Sequence, residues 1–358
     1  MRLTFVVGTG RCGSTMLSAI LREHPDVLSM SEFFGSLRAA ARGGPFLHGE
    51  PDGRELWRLL ASPFPMLDEM VSSGLRIADM GYPLGRGRFT PATGVPLICH
   101  YVLPMLTSDP DSLYDTLAAV VPAWPRRPVA AQCEAFFAYL AERLGRPVVV
   151  ERSAASLNMV GALSEQFPAA RFVHLYRDGP DCALSMSRHP VFRREILALA
   201  AAHQAGHQAG WAAGLDRPVP LEPGTAVPER FAGLVFPPYD AAKLMSYPIP
   251  VEAFGRYQWS PMICAGVEAL SRLPPGRCLS LRYEDLLAAP AATLVAFCEF
   301  IEVTAPLSWL AAARKIVDPA RSGAAAQLAP AVLAAVRTAC EPGARALAAT
   351  MPATRLEL

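Results

Sequence analysis

The segment VVGTGRCGST, residues 6 to 15, contains the residue types of a phosphate-binding loop. Gly8, Gly10 and Gly13 permit a tight turn whose N–H groups point inward, and a helix beginning there adds its positive dipole end. Gly8 and Gly13 have the spacing of the triphosphate-binding loop G-x-x-x-x-G-K-[ST], but Ser14 occupies the lysine position. The segment therefore predicts an anion site that lacks the lysine which reaches β and γ phosphates.

The residues around this turn suit a phosphate that carries neither a γ group nor a metal ion. Arg11 lies inside the turn, and two hydroxyl residues follow its last glycine. We expect the phosphate contacts to come from Gly10, Arg11, Cys12, Gly13, Ser14 and Thr15. Taken alone, the same pattern also fits a tight turn with a purely structural role.

A second candidate anion site lies in RFVHLYRDGPDCALSMSRHP, residues 171 to 190. Arg177 follows a predicted strand and Ser185 lies in the next predicted helix. A guanidinium group and a hydroxyl group in these positions can converge on one phosphate. Two phosphate sites on neighbouring strand and helix units indicate a nucleotide that is phosphorylated at two separate positions.

These two segments resemble motifs of the sulfotransferases that use 3′-phosphoadenosine 5′-phosphosulfate (PAPS). GTGRCGSTMLSAIL is similar to their 5′-phosphosulfate loop, and YRDGPDCALS is similar to their 3′-phosphate motif, in the same order. Further similar segments are VVVERSAASL, FPAARFVHLYRD and LRYEDLLAAPAATLVAFCEFI. The ordered combination is more specific than any one segment, although most of the chain lies outside it.

The resemblance implies a P-loop NTPase-like sulfotransferase fold and a sulfonate transfer from PAPS. The acceptor is expected to be a hydroxyl group, or as second choice an amine, on a small-molecule or lipid-like compound. The bound product is adenosine 3′,5′-bisphosphate (PAP), and no metal is required. A loop that holds one phosphosulfate also explains why the triphosphate lysine is absent.

The resemblance further suggests a general base. Similar bacterial and tyrosylprotein sulfotransferases carry a catalytic glutamate where this chain has Glu32, in HPDVLSMSEFF. We expect Glu32 to deprotonate the acceptor, with a solvated glutamate beside a helix as the alternative. Histidine is the base in the cytosolic small-molecule branch, and the competing residues here are His24, His100, His174 and His189. His174 lies in a predicted buried strand, which favours a structural role.

Two arginines are expected to stabilise the negative charge that develops on the leaving phosphate. Relatives often have lysine near Arg152, and we expect Arg152 and Arg11, together with loop amides, to stabilise the bridging oxygen. Tyr283 matches a position near the cofactor, although packing at a strand end explains a tyrosine there equally well. A late glycine-containing loop on the 3′ phosphate has a weakly supported counterpart in Arg321, Ser322 and Gly323.

Strand and helix signals alternate along the chain, which predicts an α/β fold with a mainly parallel sheet. Predicted strands cover residues 3 to 7, 147 to 151, 171 to 176 and 277 to 283. Predicted helices cover residues 14 to 24, 129 to 144, 156 to 167, 180 to 188 and 291 to 301. A last helix is expected at residues 329 to 350, with a break at Glu341-Pro342-Gly343.

Two proline-rich segments, residues 43 to 128 and 214 to 261, interrupt this alternation. We assign residues 1 to 358 to a single domain in which both segments are irregular and cover the substrate site. The second segment contains the aromatic residues Phe231, Phe236, Tyr239, Tyr247, Phe254, Tyr257 and Trp259. They can line an acceptor pocket or form a small core of their own.

Composition limits the classes of partner. The 358 residues are 52% apolar and carry a formal net charge of +1, so we expect neither nucleic-acid nor broad membrane binding. Eight cysteines without metal-ligand spacing indicate reduced, buried thiols. With no signal peptide or membrane-length apolar stretch in the sequence, a soluble cytoplasmic protein is expected. Assembly as a homo-oligomer is left open.

Two other functions compete with sulfonate transfer. A P-loop small-molecule kinase would need the missing lysine and a carboxylate for Mg²⁺. A non-catalytic nucleotide-binding protein is opposed only by Glu32 and Arg152.

Overall fold

The computed structural model describes residues 2–40, 47–77, 80–204 and 225–350. Its centre is a five-stranded sheet with the order β2-β3-β1-β4-β5, in which every pairing is parallel. The strands are β1 Arg2–Val7, β2 Val27–Ser31, β3 Val148–Arg152, β4 Arg171–Tyr176 and β5 Cys278–Arg282. The predicted α/β class with a mainly parallel sheet is confirmed.

Seventeen α-helices lie in the described residues. They are α1 Ser14–Arg22, α2 Phe33–Ala40, α3 Gly53–Ala61, α4 Pro65–Ser72, α5 Leu97–Tyr101, α6 Pro110–Val120, α7 Val129–Leu144, α8 Val160–Gln166, α9 Gly179–Ser187, α10 Pro190–Gln204, α11 Ala241–Ser246, α12 Val251–Phe254, α13 Ser260–Ser271, α14 Tyr283–Ala288, α15 Pro290–Phe300, α16 Leu307–Ile316 and α17 Pro330–Thr350. Short 3₁₀ turns include Ser156–Met159, Pro319–Arg321 and Ala324–Gln327, and the π-helix Gly255–Trp259 joins α12 to α13.

Apolar side chains cover both faces of the sheet, as expected for parallel strands. On one face, the buried Phe5 ring lies 5.5 Å from Phe34 and 5.4 Å from both Phe167 and Phe172, between ring centroids. Helices α2, α7, α8 and α13 complete that core. On the other face, α1, α14, α15 and α16 pack over the alternate strand residues.

Strand β2 is absent from the sequence prediction because serines alternate with its apolar residues. All five of its residues are nevertheless buried. Ser18 in α1 satisfies two of these serines, since its hydroxyl lies 3.0 Å from the Ser29 hydroxyl and 2.9 Å from that of Ser31. Hydroxyl pairing therefore permits a polar strand at the buried edge of the sheet.

The carboxyl ends of the parallel strands meet at one edge of the sheet. The phosphate loop follows β1, Glu32 follows β2, and Arg177 follows β4. Arg152 is the last residue of β3, and Tyr283 comes directly after β5. The topology therefore brings five separate parts of the candidate site to the same edge.

The predicted irregularity of the proline-rich segments is wrong for much of their described length. Residues 47–77 and 80–128 contain α3, α4, α5 and α6, and residues 225–261 contain α11, α12 and the π-helix. Pro65 and Pro110 occupy first-turn positions of helices, where a missing N–H costs nothing. Residues 43–46, 78–79 and 214–224 lie outside the described residues, and the single-domain assignment remains a prediction.

The two segments meet in a small satellite core. Leu67 and Met70 from the first segment pack with Phe231 and Leu244 from the second and with Leu197 of α10. Phe231 and Tyr239 are buried in this satellite core, whereas Phe254 and Trp259 are buried in the main core on the sheet. Tyr257 is half exposed. Phe231, Tyr247 and Tyr257 also line a cleft of about 930 Å³, so the described residues give support to both the core and the pocket alternatives.

The predicted break in the last helix is also wrong. Helix α17 continues from Pro330 to Thr350 with Pro342 inside it. Its buried face packs on α13, where Gly343 lies against the Trp259 ring so closely that an added Cβ would be 2.6 Å from it. Tertiary packing along this helix therefore outweighs the local effect of proline.

All eight cysteines are free thiols, six of them buried. Within the described ranges, no helix combines the length and the apolar composition needed to cross a membrane.

The Phe5 cluster gives a test of the fold. We expect Phe5→Ala to lower the free energy of unfolding by about 3–5 kcal/mol, because it removes a fully buried ring at the centre of three aromatic contacts. Urea unfolding monitored by circular dichroism measures the change. Phe300→Ala, at a partly exposed ring, is the matched control, and a loss at Phe5 no larger than at Phe300 would contradict the packing described.

Candidate functional site

The phosphate loop has the backbone conformation of an anion-binding turn. Gly10, Arg11 and Gly13 have positive φ values of 75°, 57° and 96°. Gly13 directly precedes α1, whose first N–H groups have no side-chain cap. Backbone N–H groups in such a turn point toward a common centre at the positive end of the helix dipole.

Gly13 also allows an aromatic ring to lie against the loop. A Cβ atom at this position would be 2.1 Å from the Tyr283 ring, so only glycine permits the contact. Tyr283 is buried, and its ring covers the Arg177 guanidinium at 4.7 Å from the ring centroid. Burial raises the pKa of Tyr283, opposed by Arg177, so the ring stays neutral near pH 7. Tyr283 therefore combines packing with a place beside the predicted cofactor arginine.

The side chains of the loop differ in what they can contribute. Cys12 is fully buried, and burial raises the pKa of its thiol, so only its backbone N–H can serve an anion. Ser14 is nearly buried, whereas Thr15 is exposed. The Arg11 Nε donates to the Ser185 hydroxyl at 3.2 Å. This hydrogen bond joins the two predicted phosphate motifs directly.

One cleft of about 640 Å³ contains most of the predicted cofactor residues. Its lining includes Arg11, Gly13, Ser14, Thr15, Arg177, Ser185, Tyr283 and Arg321. Gly10, Cys12, Ser322 and Gly323 are not among the lining residues. The sequence analysis missed Arg76 and Arg188, which also line the cleft. Arg188 directly follows α9, inside the segment of residues 171 to 190 that carries the second motif, whereas nothing in the sequence around Arg76 indicates a site.

Arg177 is held firmly at the floor of this cleft with only 9% of its surface exposed. Its Nη2 donates to the Asp181 carboxylate at 3.2 Å and to the Arg321 carbonyl at 2.6 Å. Its Nη1 reaches the Arg11 carbonyl at 3.4 Å. Among the described residues the Arg177 Nε is buried and has no hydrogen-bond partner.

The late segment reaches the cleft through Arg321, whose side chain is exposed. The backbone N–H of Gly323 donates to Asp181 at 2.6 Å, and that of Ala325 donates to the same carboxylate at 2.8 Å. Gly323 is thus engaged in a structural contact, and Ser322 lies outside the cleft lining. Of this weakly supported prediction, Arg321 is the residue that the structure brings to the site.

Glu32 and Arg152 form an ion pair at the ends of β2 and β3. Arg152 aligns with Ser31 in the sheet, and its Nη1 donates to Glu32 Oε1 at 2.6 Å. The Arg152 side chain is 5% exposed and the Glu32 side chain is 12% exposed. The Ala154 N–H donates to both carboxylate oxygens at 2.9 Å. The alternative of a solvated Glu32 is therefore wrong.

This pair lies beside the phosphate loop and does not contribute to the lining of the 640 Å³ cleft. The turn after β3 separates the two. On one side of this turn, the Ala154 N–H donates to Glu32. On the other side, the Ala155 nitrogen would lie 3.7 Å from a Cβ atom added to Gly10, and the Leu157 N–H donates to the Gly8 carbonyl at 3.2 Å. Arg11 and Arg152, predicted to act on the same oxygen, therefore approach the loop from different sides.

A second carboxylate, Glu151, holds the backbone next to Glu32 in place, although the sequence analysis did not assign it to the site. Glu151 is buried, and its Oε1 accepts the N–H groups of Phe33 at 3.1 Å and Phe34 at 3.3 Å and the Ser153 hydroxyl at 2.6 Å. Ser153 in turn accepts the Gly35 N–H at 2.9 Å. Strand β3 thus caps the first turn of α2 and fixes the backbone that follows Glu32, whose φ is 57°.

The four histidines that compete with Glu32 for the role of general base lie in different parts of the fold. His189 lines the cleft. His24 is buried, with its ring 4.7 Å from Trp309, and His100 is buried beside Asp68 at 3.4 Å. His174 is buried in β4, where desolvation lowers its pKa to about 4. Of the four, only His189 belongs to the cleft lining. Within the described part of the chain, no group of three or more His, Cys, Asp or Glu side chains is arranged to hold a metal ion.

Comparisons with known proteins return solved structures only, because no protein-family model and no curated protein matches the chain. The sulfotransferase domain from the Synechococcus PCC 7002 olefin synthase matches with a TM-score of 0.44 and 16% identity, covering 98% of this chain and 96% of that chain. A sulfotransferase from Alicyclobacillus acidocaldarius matches with a TM-score of 0.42 and 15% identity, covering 98% of this chain and 95% of that chain.

The sulfotransferase domain from the curacin biosynthetic pathway gives a TM-score of 0.43 with 15% identity, covering 92% of this chain and 83% of that chain. All three are sulfotransferases by description. At this distance, function has to be derived from the residues of this chain.

The Glu151 carboxyl predicts a pH-dependent stability. Burial raises its pKa to about 7, against the opposing effect of the Ser153 hydrogen bond, whereas the unfolded chain releases this proton near the ordinary value of 4.5. The folded state therefore holds an extra proton between these values, and the stability from this group falls as pH rises through about 7.

Glu151→Gln mimics the protonated carboxyl and does not titrate. We expect wild type to lose stability relative to this variant between about pH 5 and pH 8. Urea unfolding at both pH values measures the difference, with Glu299→Gln on an exposed helix face as the control. If the difference in unfolding free energy between wild type and Glu151→Gln were the same at both pH values, Glu151 would be ionised throughout.

Proposed function

We propose that this chain is a PAPS-dependent sulfotransferase which transfers the sulfonate group to a hydroxyl, or as second choice an amine, of a small-molecule or lipid-like acceptor. One observation carries the proposal: the phosphate loop and the Arg177 and Ser185 motif face a single cleft and are joined by the Arg11–Ser185 hydrogen bond. We keep a cytoplasmic location as part of the proposal, and homo-oligomer formation stays open.

The charge of the cleft suits a polyanion. Arginine is the dominant charged residue of its lining, at positions 11, 76, 177, 188 and 321. Asp181 is the one carboxylate among the described lining residues, and its oxygens are occupied by donors from the protein. Guanidinium groups around two separate anchor points favour a ligand with two phosphate groups, such as PAPS or PAP.

The Glu32–Arg152 pair links proton transfer to charge stabilisation. The Glu32 carboxylate, held by Arg152, accepts the proton of the acceptor hydroxyl as the acceptor oxygen bonds to sulfur. Protonation neutralises Glu32 and weakens its hold on Arg152. The guanidinium is then released toward the bridging oxygen, where negative charge develops as the sulfur–oxygen bond to phosphate breaks.

Arg11 and the loop amides complete this charge stabilisation. By analogy with phosphoryl transfer, positioning and electrostatics supply most of the catalysis, so the proposed chemistry assigns no step to a metal. The product PAP keeps its 5′ phosphate at the loop and its 3′ phosphate at Arg177 until it dissociates.

The second candidate is a non-catalytic nucleotide-binding protein. It is favoured by the position of Glu32 and Arg152, which satisfy each other and do not line the cleft. A P-loop kinase is disfavoured because Ser14 replaces the lysine of the triphosphate loop.

Ligand selectivity tests the nucleotide assignment. We expect PAP to raise the melting temperature substantially more than ATP with Mg²⁺, because ATP lacks the 3′ phosphate that Arg177 and Ser185 recognise. Differential scanning fluorimetry at matched ligand concentrations gives the comparison. In Arg177→Ala the advantage of PAP should disappear, and a greater stabilisation of wild type by ATP would exclude the sulfotransferase assignment.

Glu32→Gln separates an enzyme from a binding protein. The variant keeps the size of the side chain and removes its proton affinity, so PAP binding should persist while turnover falls by roughly 10²-fold or more. Transfer of labelled sulfonate from PAPS to a panel of phenols, alcohols and amines measures turnover, and calorimetry measures PAP affinity. Glu23→Gln, at the exposed end of α1, is the control. Full activity of Glu32→Gln would remove this residue from the mechanism.

A further inference from the structure

Asp181 is a buried carboxylate at the wall of the cleft, with 3% of its surface exposed. Three donors converge on it. Arg177 Nη2 and the Gly323 N–H reach Oδ2 at 3.2 and 2.6 Å, and the Ala325 N–H reaches Oδ1 at 2.8 Å. Both oxygens of one side chain therefore connect the arginine of the second motif with a segment that follows it by more than a hundred residues.

The segment attached to Asp181 carries Arg321 to the rim of the cleft. Besides Asp181, Arg177 itself holds this segment through the Arg321 carbonyl at 2.6 Å. Among the described residues the remaining side-chain hydrogen bonds and ion pairs of the segment are local, since Asp318 accepts the Ala320 N–H at 3.1 Å and pairs with the exposed Arg321 guanidinium at 3.4 Å. The hydrogen bonds that attach it to the second motif are thus those of Asp181 and Arg177.

The charge of Asp181 opposes anion binding when only electrostatics is considered. A carboxylate 3.2 Å from Arg177 lowers the positive potential that a phosphate would meet. Its presence is explained by geometry, because it fixes one side of the Arg177 guanidinium and accepts the backbone N–H groups of Gly323 and Ala325. Charge and position therefore predict opposite effects when the carboxylate is removed.

We propose that Asp181 is a positioning residue for the 3′-phosphate site: it orients Arg177 and attaches the 321–325 segment, so that recognition of the 3′ phosphate depends on both being held together. The inference rests on the proposed function and extends it to a residue that does not itself contact the phosphate.

Asp181→Asn tests the proposal. Asparagine offers one carbonyl oxygen and places an N–H₂ donor against a backbone donor, so at least one of the three contacts is lost. We expect the dissociation constant for PAP to rise at least about 10-fold, the scale of one hydrogen bond to a charged group. The value for adenosine 5′-monophosphate, which lacks the 3′ phosphate, should change less than about threefold. Calorimetry measures both.

The control is Asp178→Asn, which removes the same charge from the same helix end. Asp178 accepts the Asp181 N–H as a helix cap, a role that asparagine retains. Its PAP affinity should stay within about twofold of wild type. Tighter PAP binding by Asp181→Asn would mean that Asp181 acts only as a counter-charge, and equal weakening of both nucleotides would mean a general structural role. Either result overturns the proposal.

A second variant keeps the proposal testable if Asp181→Asn does not fold. Gly323→Ala strains the segment, because Gly323 has φ 77°, while its added Cβ meets no atom within 4 Å. We expect PAP affinity to fall about threefold with no change for adenosine 5′-monophosphate. Gly276→Ala is matched, with φ 78° and open space around its Cβ. Identical effects of the two glycine variants would overturn the proposal.

The same titrations separate this inference from the proposed function. If wild type shows no preference for PAP over adenosine 5′-monophosphate, the proposed function fails. If wild type prefers PAP and Asp181→Asn keeps that preference unchanged, only the role of Asp181 fails.

Discussion

The parallel register of β1 with its neighbours is the constraint on which the site depends. Because β1 pairs with β3 on one side and β4 on the other, the phosphate loop after β1 lies between Arg152 and the Arg177 turn. A one-residue shift would move every side chain of a strand to the opposite face and bury the charged residues in an apolar core. The aromatic cluster around Phe5 beneath the sheet is therefore also what holds the candidate chemistry in place.

Two buried ion pairs connect separate parts of the candidate site. Glu32 is matched by Arg152, and Asp181 is matched by Arg177 and by backbone donors from the 321–325 segment. Such pairs contribute little net stability compared with apolar packing, but breaking one leaves an uncompensated buried charge. Each pair thus fixes a relative position of two strands or loops. In the proposed reaction the first pair is also the element that changes, because proton transfer to Glu32 weakens its attraction to Arg152.

Local sequence patterns indicated several residues that the structure brings to one cleft. The spacing of Gly8 and Gly13 indicated the loop, and Arg177 and Ser185 were expected to converge from their places after a strand and on a helix. The contact of Glu32 with Arg152 depends on strand register, which no local pattern encodes. Asp181 and Arg76 were missed for the same reason, since their role arises only from tertiary contacts. The proline-rich segments were assigned as irregular because proline was treated as a breaker, whereas at the first turn of a helix it is favoured.

The most direct test of the central claim is a crystal structure of the protein with PAP bound. The account predicts the 5′ phosphate against the backbone N–H groups of the loop after β1, and the 3′ phosphate within hydrogen-bond distance of Arg177 and Ser185 in the same cleft. A nucleotide bound elsewhere, or a 3′ phosphate in solvent away from both residues, would contradict it.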